Sequence, residues 1–75
     1  MNKDRRKRID ELTDRIQEIQ TDLEEIRDEE QEAHDKLPES IQYGERGEAM
    51  EEAIEAMESA GDSLQEAFDY LIDLI

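Results

Sequence analysis

"IDELTDRIQEIQTDLEEIRDEEQEAHDKL", residues 9–37, decides the fold. Its apolar residues are Ile9, Leu12, Ile16, Ile19, Leu23 and Ile26, then Ala33 and Leu37, at alternating steps of three and four that stay in register through Glu30. This is a heptad with Ile9, Ile16, Leu23, Glu30 and Leu37 at a, and Leu12, Ile19, Ile26 and Ala33 at d. The spacing predicts a helix over about 4–36, with the a and d rows turned toward a second helix. Glu30 alone interrupts the a row, with Arg27 and His34 a turn away on either side. One polar residue at an a position sets register or oligomeric state at a cost in stability.

Outward from that stretch, Pro38 ends the helix, because the residue before a proline is pushed out of the α region. "LPESIQYGERGE", residues 37–48, then carries Pro38, Gly44 and Gly47 and reads as a turn over 37–47. Here Leu37, Ile41 and Tyr43 are expected to close the end, with Gly44 and Gly47 supplying backbone freedom. A second helix is expected over about 47–75, its first turns rich in Glu45, Glu48, Glu51 and Glu52, where carboxylates suit the positive end of the helix dipole. It carries two rows. Met50, Ile54, Met57, Gly61, Leu64, Phe68, Leu71 and Ile75 suit the first helix, and Ala49, Ala53, Ala56, Ala60, Ser63, Ala67, Tyr70 and Leu74 run beside them. An apolar face that wide implies more than one neighbour. The expected architecture is all-α: a coiled-coil-like antiparallel two-helix hairpin over residues 1–75, each arm about 45 Å long, dimerising into a four-helix bundle. Ala53, Ala56, Ala60, Gly61 and Ala67 form the expected oligomer interface. Gly61 is read as a close approach to Leu23 and the partner, so that Gly61→Leu would overpack it.

Composition agrees. Charged residues make up 44% of the 75, hydrophobic ones 35% and aromatics 4%, the mix of long helices rather than of a sheet. A chain this short buries little surface alone. With no cysteine there are no disulfides, and one histidine leaves little for a transition metal. Oligomerisation is the remaining source of stability. No apolar run is long enough to span a membrane, and no secretory core follows the basic start.

The net charge is −15. Lys3, Arg5, Arg6, Lys7 and Arg8 against Asp4 give residues 1–8 a charge of +4, which leaves −19 on residues 9–75. Asp10, Glu11, Asp14, Glu18, Glu24, Glu25, Asp28, Glu32 and Asp35 line the outside of the first helix. Glu48, Glu51, Glu52, Glu55, Glu58, Asp62, Glu66 and Asp69 line the second, where Arg46 is the sole base. Ordinary helical surfaces mix acids with bases to gain i,i+4 pairs. This one accepts self-repulsion, at roughly one net charge per 2.4 Å of a 45 Å rod, against about 1.7 Å for duplex DNA. The expected role is a binding protein rather than an enzyme: its acidic faces occupy a basic nucleic-acid-binding surface on another protein. Direct binding to DNA or to membranes is not expected.

Two alternatives stand beside it. Arg5, Arg6, Arg8, Tyr43 and Arg46, gathered at an oligomer junction, would hold a nucleotide by stacking and phosphate contacts, making the chain a sponge for a nucleotide signal. The other alternative is a structural oligomerisation or assembly module. No catalytic motif, cofactor site or metal site is read: a di-metal bundle needs Glu-x-x-His, and Gln31 occupies the glutamate position ahead of His34.

"LEEIRDEEQEAHDKLPESIQYGERGEAMEEAIEAM", residues 23–57, together with the basic "NKDRRKRI" of residues 2–9, resembles a group of small acidic proteins encoded by phages and prophages of Gram-positive bacteria. The turn and the "ERGEAME" after it carry the likeness. The resemblance implies a phage protein in the cytoplasm of a bacterial host cell that antagonises a host nuclease or another defence factor, and it names no target and no catalytic residue.

Overall fold

Asn2 starts the first helix by accepting a hydrogen bond from the backbone N–H of Arg5 at 2.9 Å, which satisfies one of the open donors of the first turn. The computed structural model describes all residues, Met1–Ile75, and they fold as three helices: α1 (Lys3–Asp35), a single-turn α2 (Glu39–Gln42) and α3 (Glu45–Ile72). The molecule is all-α and elongated, 58 × 15 × 12 Å. No helix is long and apolar enough to cross a membrane.

The segment between α1 and α3 is more ordered than its glycines suggest. Pro38 precedes α2, and its carbonyl accepts from the N–H groups of Ile41 and Gln42. The Gln42 side chain donates to the carbonyls of His34 (3.2 Å), which also accepts from Leu37 N–H, and Asp35 (3.3 Å), tying α2 to the end of α1. Gly44 caps α3 with extended backbone, and no glycine has positive φ. The expected backbone freedom is therefore not what these glycines supply. Gly47 is needed for a close approach: a Cβ there would stand 1.9 Å from the carbonyl oxygen of Gln42. Tyr43 does not close the end either. It is 76% exposed, and Ile41 is exposed beside it.

α1 and α3 lie against each other in opposite directions. Gln20 bonds Gln65 at 3.0 Å, Arg27 meets Glu58 at 3.0 Å, and His34 approaches Glu51 at 3.2 Å. Each step of seven up α1 is matched by a step of seven back along α3. These partners correct the expected heptad. The rows of α1 facing α3 are a and e: Ile9, Ile16, Leu23, Glu30 and Leu37, with Thr13, Gln20, Arg27 and His34 beside them, are half-buried or buried. The d row is left outside, with Leu12 at 44%, Ile19 at 51% and Ile26 at 54% exposure, and Ala33 exposed as well. A two-helix contact is narrow, and here e side chains fill it: Gln20, Arg27 and His34 meet polar groups on α3, while Thr13 is satisfied within its own helix.

The interior is thin. Ile54, 6% exposed, is its one buried apolar side chain; Met50, Met57, Leu64, Phe68 and Leu71 on α3 are half-buried. Thr13 is buried as well, at 3%, and its hydroxyl donates to the Asp10 carbonyl at 2.7 Å. This local bond satisfies the polar group and lets it sit inside.

Gly61 departs from expectation in its surroundings. It shares an open groove of about 380 Å³ with Leu23, Gln20, Arg27, Met57, Glu58 and Gln65, so it does lie across from Leu23. A Cβ on it would meet nothing within 4 Å. Within the chain there is no close approach to overpack. Gly61→Ala should then recover the helix-propensity deficit of about 1 kcal/mol. We expect it to raise the thermal midpoint by about 4–8 °C, followed by circular dichroism at fixed concentration. A fall in the midpoint would show that the position is sterically committed.

Candidate acidic interface

The outward faces of both helices are carboxylate. On α3, Glu48, Glu51, Glu52, Glu55, Glu58, Asp62, Glu66 and Asp69 are all exposed. They recur at helical spacings because the inward positions are taken by the apolar row. Only two of them face a basic group: Glu58 meets Arg27, and Glu51 lies by His34. No Lys, Arg or His nitrogen lies within 4 Å of the other six. On α1, Asp10, Glu11, Asp14, Glu18, Glu24, Glu25, Asp28, Glu32 and Asp35 are likewise exposed. Asp28 is held by Arg27 (2.6 Å) and Glu32 by Lys36 (2.9 Å).

Two inward groups link α1 to this surface. Arg27 bridges Asp28 and Glu58, and the hydrogen bonds to Asp28 first and to Glu58 second hold its guanidinium above the ordinary arginine range. His34 is largely enclosed, 3.2 Å from Glu51 and 3.5 Å from Asp35, yet neither ring nitrogen has the geometry of a hydrogen bond. Both carboxylates are near the ring, but neither is aligned with a ring nitrogen as an acceptor. Glu30, between them, is half-buried and makes no ion pair. Sequence reasoning missed Gln20 and Gln65 as a cross-helix pair. Their spacing of seven from Arg27 and Glu58 was the available signal.

The basic cluster is helical. Arg5, Arg6 and Arg8 lie in the first two turns of α1, exposed, with Arg8 paired to Asp4 at 3.2 Å. Tyr43 and Arg46, exposed as well, stand at the other end of the rod. The 28 residue steps from Arg8 to Lys36 span about 42 Å, so one chain does not bring these five residues together. Ala56, Ala60 and Ala67 are exposed on α3, Ala53 is half-buried, and Gly61 faces the groove toward α1.

The chain matches no protein-family model, no curated protein and no solved structure.

Proposed function

We propose that this chain is a non-enzymatic binding protein that folds as an antiparallel helical hairpin, pairs into a dimeric four-helix bundle, and covers the basic nucleic-acid-binding surface of a host protein. The observation that carries the reading is the row of six α3 carboxylates without a cation: Glu48, Glu52, Glu55, Asp62, Glu66 and Asp69. Exposed like charges at helical spacing destabilise the isolated helix, and a partner that neutralises them would offset that cost. The phage setting, the bacterial cytoplasm and the antagonism of a nuclease or defence factor rest on the resemblance of residues 2–9 and 23–57 alone.

Changing Glu52, Glu55, Asp62 and Glu66 to Gln or Asn removes four of these charges and no ion pair. Helicity is expected to stay within about 1 kcal/mol of the parent, while binding falls. The partner is sought by capture from a bacterial lysate at about 0.05 M and 0.5 M salt, which brackets strong and weak screening. Support requires a captured nucleic-acid-binding protein that is released by the higher salt, loses its DNA or RNA when this chain is added, and ignores the fourfold variant. Capture that survives both high salt and the four substitutions would rule mimicry out.

A further inference from the structure

We infer that the dimer forms through one composite face, the exposed d row of α1 together with Ala60 and Ala67 of α3 and Leu74 just past its end, with α1 crossing its own copy antiparallel near Ile19. The inference rests on the dimer in the reading above and names its interface.

The two rows lie on one side of the molecule. On α3, Glu51, Glu58 and Gln65 flank the inward row on one edge, and the alanines, offset by about 160° of helix rotation, flank it on the other. On α1 the d row lies about 100° from the e row that meets those α3 residues. The polar pairs Gln20–Gln65, Arg27–Glu58 and His34–Glu51 therefore mark one edge. The steps of seven that join them bring Ile26 level with Ala60, Ile19 with Ala67 and Leu12 with Leu74 on the opposite edge, within about one residue. That edge is a continuous apolar strip in which every one of these residues is exposed. A helix in a four-helix bundle touches two neighbours and buries three rows. In α1 the e row meets α3 and the a row sits between, which leaves d for the second neighbour.

The surface area indicates how much is missing. The chain exposes 5841 Å², whereas a folded monomer of 8.8 kDa exposes about 4,800 Å². The excess, roughly 1,000 Å², to which the elongated shape also contributes, leaves room for the 800 Å² or so that each partner buries in a standard interface.

Charge selects a second copy and its direction. Next to the d row, at heptad position g, stand Arg8, Arg15, Asp22 and Glu29 within α1: two bases followed by two acids at steps of seven, with Lys36, the next g position, at the C-cap and paired to Glu32. The sign reverses midway between Arg15 and Asp22. Such a row is complementary to itself only when reversed, setting Arg15 against the partner subunit's Asp22 and Arg8 against the partner subunit's Glu29. The apolar row closes within one residue of that register, Leu12 on the partner's Ile26 and Ile19 on its own copy. A consequence follows for mimicry. Fifteen net charges over 58 Å is about one per 4 Å, and only two chains side by side reach about one per 2 Å, near the duplex value of 1.7 Å.

The chain has no cysteine, so single cysteines report the register directly. Under mild oxidation Ile19→Cys should link to its own copy and Leu12→Cys should not, while an equal mixture of Leu12→Cys and Ile26→Cys should link across. In sedimentation, Arg15→Asp should raise the dimer dissociation constant at least about tenfold, and Arg15→Asp with Asp22→Arg should restore it to within about threefold. Both residues are exposed in the single chain, so circular dichroism should show unchanged helicity. A dimer in which Ile19→Cys fails to link, or Leu12→Cys links to itself equally well, overturns this interface and leaves the dimer standing. A folded monomer of the parent chain at about 100 μM overturns both. Failure of mimicry would show instead in the lysate competition, which does not depend on the register.

Discussion

Gly47→Ala is expected to lower the thermal midpoint by roughly 10–20 °C, the largest effect of any single methyl group added to this chain. The new Cβ would stand 1.9 Å from the oxygen, 2.5 Å from the carbon and 2.7 Å from the Cα of Gln42. All three atoms are backbone, so no side chain can swing aside. α2 or the start of α3 must shift, and the Gln42 bonds to the His34 and Asp35 carbonyls then lengthen. Overpacking of this kind costs about 2–3 kcal/mol, a large share of the stability of a chain this small. Gly44→Ala is the control. Its Cβ would lie 3.5 Å from the Ile41 oxygen, an ordinary contact, and the loss should stay near 1 kcal/mol because alanine is a poorer cap than glycine. Melts of both variants at one protein concentration decide the matter. Equal midpoints would mean that the turn does not depend on contact between Gly47 and Gln42.

Ile54→Ala should be comparably damaging. Ile54 is the one apolar side chain that the fold buries, and its inward neighbours on α3, Met50 and Met57, are flexible residues only half-buried. Truncating a buried isoleucine to alanine costs about 2–4 kcal/mol, enough to leave much of the chain unfolded at 37 °C. Ile26→Ala removes the same atoms from a site that is 54% exposed and should leave the helicity of a dilute, monomeric sample unchanged. If the two variants melted together under those conditions, the inward face of α1 would be d after all.

How much of this was legible beforehand varies from residue to residue. The extent of α1 was readable from Ile9 to Leu37 because local rules set it: a 3.6-residue period and a proline. The acidic rows were readable too, since a charged side chain goes to solvent whatever the tertiary arrangement. Thr13 was not, because its polarity argues for the surface until its own helix satisfies the hydroxyl. Gly47 was misread. Glycine in a turn suggests unusual dihedrals, and the contact with Gln42 that needs it exists only once α3 has turned back over α2.

Two long amphipathic helices, the short connection between them and a surface that is acidic beyond its basic start all follow from periodicity and composition within a few residues of chain. The tertiary structure alone decided which rows of α1 meet α3. The a, d and e rows lie within about 100° of one another on the helix, so a one-dimensional pattern favours a and d on hydrophobicity. The choice fell to e because Gln20, Arg27 and His34 find Gln65, Glu58 and Glu51 at separations of 45, 31 and 17 residues, the first two through hydrogen bonds, and nothing local encodes those meetings.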